Sequence, residues 1–515
     1  MNQNKLKVAV TAVITLMLSL YLGIGAASAQ AEVLKVTGVA MMIAILVGFG
    51  RRVWLLVPLT MLSSLSFRWM PGQWRAADLA YLIVIGGCTL LFLTRNLKFK
   101  IQWRPIHIFG LLVIASVVQA YARHPVGLNV LGSSNVGGRA YFTFAVGLMM
   151  CVLFSVLSVP VKDLFAMRKY ALVGGVFTLV AQWLAYVPGL ALPLALGLGT
   201  GNLDFNSQGT SGGAAGRNMA GADSAKILSR ITVAYTNPLK SLLFNRWSLI
   251  VCFAILGGLV SGFRSQLGGG ILILAIGVFY WQGIRAVIAA FLVGVFGLMS
   301  LAILNLMLPL SAEAQRALSF LPGTWEQRYV REGEDSNDWR FEMWEEALTS
   351  ERWIKNKIMG DGLGFSSKEL GLQSAMQQGD YGMAGFGTLS AQQVSLLING
   401  DYHSGPVSFV RAVGYVGLGI FALGLLAVLI SSHRLLRSLK GTPYFGIAAL
   451  ICIPAFAQPF IFFFVFGTFS GDISQFFLNV GMICFLRNNI DFENLHRDPR
   501  EEPLEESEVS AKALS

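Results

Sequence analysis

The sequence predicts an all-α polytopic membrane protein, a bundle of about 12–14 transmembrane helices with one large periplasmic (extracytoplasmic) loop that itself contains helices. Three observations carry that prediction. Of 515 residues, 54% are hydrophobic and 13% are charged, against roughly a quarter charged in an ordinary soluble domain. Apolar runs follow one another almost without pause, and one largely polar stretch, about 311–404, interrupts them and must lie outside the bilayer. The basic residues fall in short clusters between apolar runs, so the net charge of +11 reflects lipid headgroups and the positive-inside rule, and nucleic acid is excluded as the reason for it.

Taken in order, Met1 to Lys7 is a short basic start to an apolar run from Val8 to about Ala27. Its end, G-A-A-S-A-Q-A, resembles a signal-peptidase site, but the run is longer than a signal core and reads as an uncleaved first span. Further runs lie at about 33–49, 53–66, 77–94, 106–121, 140–160 and 170–197. Arg51-Arg52, the segment Arg95 to Arg104 and the segment Lys162 to Lys169 come after every second span and mark the cytoplasmic side.

The second half orients itself independently. Arg434, Arg437 and Lys440 separate runs at about 405–430 and 443–467, which makes Ser432 to Lys440 cytoplasmic and the large loop external. Counting backwards, Gly283-Ile284-Arg285 is inside, Phe263 to Gln266 outside, and Asn245-Arg246 inside. The two counts agree only if the chain also crosses at about 218–237, a small-residue stretch carrying Asp223, Lys226 and Arg230. Charges at membrane depth are costly and face a bundle interior or an aqueous cavity, so this crossing is expected to be polar and protein-buried, or broken, and to line the site; an amphipathic surface helix with one miscounted span elsewhere is the competing reading.

The last run is about 472–487. The chain thus divides into transmembrane helices with short loops (1–310), a large periplasmic loop carrying the motifs (311–404), C-terminal transmembrane helices (405–488) and a disordered acidic cytoplasmic tail (489–515). The five cysteines all fall in apolar runs without metal-ligand spacing and read as core packing with no disulfide.

Chemistry is expected in the loop and at its margins. His403, in D-Y-H-S-G-P, precedes an apolar run whose Pro406 suits a first helical turn, which puts a neutral imidazole at the outer membrane boundary where it can accept a proton. Arg264, in S-G-F-R-S-Q, sits at an outward turn, where it either snorkels to headgroups or turns its planar fork inward to a phosphate. Arg217 closes the glycine-rich stretch Gly199 to Gly216 and could add a second cation on that side, although such a stretch is more often a linker. Asp338 is a plausible cap for a helix from Trp339 to about Trp353, on which Arg340 and Trp344 share a face suited to sugar stacking and anion binding, or to the membrane surface. Gly360-x-Gly362-x-Gly364 permits unusual dihedrals or close backbone approach and is weak as a phosphate cradle. The acidic run Glu332 to Asp338 reads as solvated.

Together these residues resemble the O-antigen ligase and O-antigen polymerase superfamily of bacterial membrane glycosyltransferases. The resemblance covers about Gly199 to Ile430: the Phe263-Arg264-Ser265 turn, the Arg340-x-x-x-Trp344 helix, the Gly360 to Gly364 turn, and His403-Ser404 followed by Gly414-x-x-Gly417. Ser404 stands where the family usually has Asn, and Arg411 where an acidic residue is common, which points to an unusual acceptor or donor. The Gly371 to Gln393 insertion has no counterpart in these motifs.

The resemblance implies transfer or polymerisation of an undecaprenyl-diphosphate-linked glycan on the outer side of the bacterial cytoplasmic membrane, with inversion and without cofactor or metal. It implies His403 as base, Arg264 with Arg217 as diphosphate clamp, and Arg340, Trp344 and Tyr402 as glycan or acceptor contacts. The partners it implies are the lipid-linked donor, a glycan or lipid acceptor, membrane lipids, and a chain-length regulator and flippase. A transporter of polysaccharide or lipid-linked glycan is the alternative, disfavoured by the scarcity of acidic residues within apolar runs. The geometric expectation is that one imidazole and at least two guanidinium groups, far apart in sequence, meet at one end of the bundle.

Overall fold

The computed structural model describes residues 44–67, 74–126, 138–187, 218–242, 245–364 and 402–495, with isolated positions between 189 and 199 and at 397 and 400. The expectations for the first span, for Arg217 and most of the glycine-rich stretch before it, for the 371–393 insertion and for the tail beyond 495 lie outside these residues.

Within them the chain is helical. A 3-10 turn at Gly50–Leu55 runs into α1 (Leu56–Thr60), and a two-residue ladder of β1 (Ser66–Phe67) with β2 (Trp74–Arg75) leads to α2 (Ala76–Leu93). There follow α3 (Pro105–Arg123), α4 (Arg139–Val156), α5 (Val161–Leu184), α6 (Met219–Tyr235), the single turn α7 (Pro238–Ser241), α8 (Ser248–Val260), α9 (Arg264–Gln282) and α10 (Ile284–Met307). The polar stretch contributes α11 (Ala312–Leu318) and α12 (Gln327–Thr349), after which α13 (Gly405–Leu439), α14 (Phe445–Phe464) and α15 (Phe469–Asn489) complete the chain. Among the described residues nine helices are long and apolar enough to cross a membrane: α2 to α5, α9, α10 and α13 to α15. The molecule is therefore an all-α multi-pass membrane protein.

Side-chain contacts sort the helix ends onto two faces. Arg52 pairs with Asp163 at 2.7 Å, Arg51 donates to Asn96, Arg104 donates to Asn488, and Arg487 lies within electrostatic range of Arg104 and Arg434. Arg168 joins the same face, donating to the Ala234 carbonyl and covering the Tyr235 ring at 5.1 Å, and the ladder of β3 (Lys98–Phe99) with β4 (Leu157–Ser158) closes it. The basic clusters of both halves thus gather on one face, called here the basic face. At the other, far face, the Asn218 N–H donates to the Ser261 carbonyl, and the polar stretch 311–364 packs there. The Tyr280 hydroxyl and His433 Nδ1 meet at 2.7 Å near the C-terminal ends of α9 and α13, so these two helices run parallel and both begin on the far face.

The polar crossing is present. α6 is a continuous helix, about 25 Å long at 1.5 Å per residue, that joins the far face at Asn218 to the basic face at Tyr235. Small residues let it sit close to its neighbours: a Cβ on Gly221 would meet the Gly257 carbonyl at 2.6 Å.

Several boundaries need correction. The apolar run at 53–66 is no regular span; it is the 3-10 turn and α1 followed by extended chain, from the Arg52–Asp163 contact to the Thr178–Ser63 hydrogen bond. Val53, Trp54, Leu55 and Val57 are fully buried, and such irregular backbone is tolerated at depth when protein surrounds it. The predicted loops Lys162 to Lys169 and Ser432 to Lys440 are largely helical, because long basic side chains reach the surface from within a helix. Cys88, Cys151, Cys452 and Cys484 are buried, but Cys252 is exposed on α8.

Candidate functional site

The far face is built around α12. The helix begins at Gln327, with Glu326 as N-cap, so Asp338 lies inside it and does not start it. On its inner side Met343 and Ala347 are fully buried and cluster with Ile354, Leu397, Tyr402, Val407 and Val410. Trp339, Arg340 and Trp344 flank that stripe, as the three- and four-residue spacing requires.

This packing presents the polar groups in sequence around the helix. Trp344 Nε1 donates to the Tyr402 carbonyl at 2.7 Å, which ties α12 to the strand of chain entering α13. The next residue, His403, adopts a positive φ of 49°, uncommon for a non-glycine residue, with Ser404 as N-cap and Pro406 in the first turn as expected. Its ring packs edge-on to Trp339 at 6.2 Å and against Phe466 at 5.4 Å. Phe466 is held there because Gly467 approaches Gly405 so closely that a Cβ would lie 2.6 Å from its Cα.

Arg340 continues the arrangement, its guanidinium 5.6 Å from the Trp339 ring and pushed below its ordinary pKa by burial. Arg264 lies within electrostatic range of Arg340 and of Arg316. It opens α9 after Gly262, whose φ of 68° makes the turn. Its side chain does not snorkel. Nε donates to the Arg316 carbonyl at 3.1 Å and Nη2 to Ser319 Oγ at 2.6 Å, so the fork fixes the end of α11. Nη1 makes no hydrogen bond among the described residues.

Of the residues expected to form the site, His403, Tyr402, Trp344, Arg340 and Arg264 occupy one connected region of the far face, and Arg217 lies outside the described residues. Tyr402, expected at the glycan, is instead fully buried in the cluster with Met343 and Ala347, and its hydrogen bond to α12 is made by the main chain. Burial raises its hydroxyl above the ordinary tyrosine value. Trp344 is partly buried with its N–H engaged, and Trp339 packs edge-on to the imidazole. Trp339, Arg316 and Phe466 were missed. Trp339 was visible as the neighbour of Arg340, whereas nothing in the sequence links Arg316 or Phe466 to residues so distant.

The glycine turn has a different use from an anion cradle. Gly360, Gly362 and Gly364 all have positive φ, 78°, 90° and 73°, and the turn docks on a break in α13. Gly414, at φ 73° and ψ 179°, interrupts that helix, and the groups it releases are taken up by the turn. The N–H groups of Asp361 and Gly362 donate to the Arg411 and Ala412 carbonyls, while those of Tyr415 and Val416 donate to the Lys357 and Ile358 carbonyls. Arg123 and Gln119 clamp the turn from α3 through the Met359 carbonyl at 2.6 and 2.9 Å, and Tyr141 accepts from the Leu363 N–H. No family model and no curated protein matches the chain.

Proposed function

We propose that the protein is a metal-independent, inverting membrane glycosyltransferase that transfers or polymerises an undecaprenyl-diphosphate-linked glycan on the far face. By the positive-inside rule the basic face is cytoplasmic, so that far face is external. The observation that most supports the reading is the continuity His403, Trp339, Arg340, Arg264 on one face, with an imidazole at one end and guanidinium groups at the other.

In this reading the acceptor hydroxyl attacks the anomeric carbon while His403 takes its proton; the anomeric C–O bond to the diphosphate breaks, and the electron pair leaves with the diphosphate. Arg264 and Arg340, with Arg316 and, as the family resemblance implies, Arg217, neutralise the departing charge, and Trp339 stacks on the sugar beside the imidazole. The test uses purified protein in nanodiscs with lipid-diphosphate-linked oligosaccharide and an acceptor glycan. Replacing His403 by Ala is expected to lower transfer by about 10²–10⁴-fold with donor binding retained; transfer within tenfold of the wild type would rule out the imidazole as base. The transporter alternative draws on the charged stripe of α6, and the same nanodiscs separate it, since movement of intact donor without turnover would favour transport.

A further inference from the structure

The charged stripe of α6 is unused by the site on the far face. Asp223, Lys226 and Arg230 are three and four residues apart and share one side of the helix. The opposite side is packed on α8, through Gly221 and Ser224 against Gly257, while α9 runs alongside the stripe, through Ser229 against Gly270 and Val233 against Gly277. At 1.5 Å per residue, Arg230, Lys226 and Asp223 lie about 7, 13 and 18 Å from Tyr235 at the basic face, which is well inside a bilayer.

The charges on this stripe do not balance. Asp223 is buried, and its carboxylate accepts hydrogen bonds from Ser64 and Gln182. Lys226 is half-buried and feels Asp223 on one side and two cations, Arg230 and Arg75, on the other. Arg75 already has its own partner in Asp78, at 2.9 Å. Arg230 is also half-buried, and its Nε is fully occluded without a hydrogen bond among the described residues. Cations at membrane depth are strongly disfavoured unless an anion meets them, and neither Lys226 nor Arg230 has an ion pair among the described residues.

We propose that this side of α6 is an intramembrane site for a phosphate group, held by Lys226 and Arg230. Phosphate supplies the missing charge together with acceptor oxygens for both a planar fork and an ammonium, placed one helical turn apart. A phosphate carried on a lipid can enter laterally, with its chain in the bilayer. The site is independent of the glycosyl-transfer reading, because none of the residues named for that reading contributes to it.

The experiment is thermal unfolding and native mass spectrometry of the full-length protein in detergent, with inorganic pyrophosphate, farnesyl diphosphate or phosphatidylglycerol as probe. At least one probe is expected to raise Tm and to be retained as an adduct. Stabilisation by pyrophosphate alone assigns a free phosphate, and stabilisation only by the lipid probes assigns a lipid head. The comparison is made in an Arg264→Ala background, which disables the clamp proposed on the far face; there K226M/R230M is expected to lose at least tenfold in apparent affinity. Without probe, the double variant is expected to unfold at or above the wild-type Tm, since it removes uncompensated charge. Should it fail to fold, Arg230→Gln alone carries the affinity comparison. Absence of any probe effect, or full affinity in the folded Lys226 and Arg230 variants, would overturn the site.

Discussion

At Arg264 the side chain serves two demands with one planar group. Two of its nitrogens hold the end of α11, and in the proposed reading the third meets the donor diphosphate. Arg264→Lys keeps the charge but cannot reproduce the paired donors, so donor affinity is expected to fall at least tenfold, about 1.4 kcal/mol, measured by donor titration of transfer. An unchanged donor constant would remove Arg264 from the clamp. Tyr402 makes a different prediction. Its folded pKa lies above the unfolded value near 10, so its contribution is complete below about pH 10 and is lost as pH rises through the folded value. In thermal unfolding against pH, Tyr402→Phe is expected to remove part of the alkaline loss of Tm. It should change neutral stability by no more than about 1 kcal/mol, because the hydroxyl has no hydrogen-bond partner among the described residues.

The break in α13 makes the sharpest prediction for an element. Gly414 occupies a backbone conformation reserved for glycine, and a Cβ there would lie 2.1 Å from the Ile358 carbonyl oxygen. Gly414→Ala is expected to destabilise the protein by roughly 3 kcal/mol, seen as a lower Tm, and to loosen the 355–364 turn to proteolysis. Gly417→Ala would meet the Val413 side chain at 2.4 Å and Ser116 at an ordinary 3.6 Å, with no backbone among these contacts, and should cost less. The sequence made the unusual dihedrals of Gly360 and Gly362 legible but not their purpose, because the partner carbonyls lie some fifty residues away. Likewise Asp338 looked like a cap from local chemistry, yet α12 begins eleven residues earlier, since its buried stripe of Met343 and Ala347 is stabilised by tertiary packing that no cap residue reports.

Across the whole molecule, charge patterning carried the architecture. Arg51, Arg104, Arg168 and Arg434 are scattered over nearly four hundred positions and still identify one face, because a bilayer penalises every alternative. The parity argument located α6 for the same reason. The 53–66 run defeated it, since hydropathy cannot distinguish a spanning helix from irregular chain wrapped in protein. A single cysteine introduced at Arg437 and one at Glu345 are expected to react with impermeant reagent from opposite sides of sealed vesicles, and one at Asp223 from neither. Labelling of the Asp223 site from either side at the rate of Glu345 would contradict its burial.

The join between the 355–364 turn and the interrupted helix also constrains how the protein is made. A segment emerging into lipid with four main-chain groups unmet is a poor candidate for insertion by itself. Here the strap that satisfies them is synthesised before the helix it repairs, so the far-face lobe can already be waiting when residues 405–439 arrive. A chain permuted so that the strap follows the helix it repairs is therefore expected to insert α13 less efficiently.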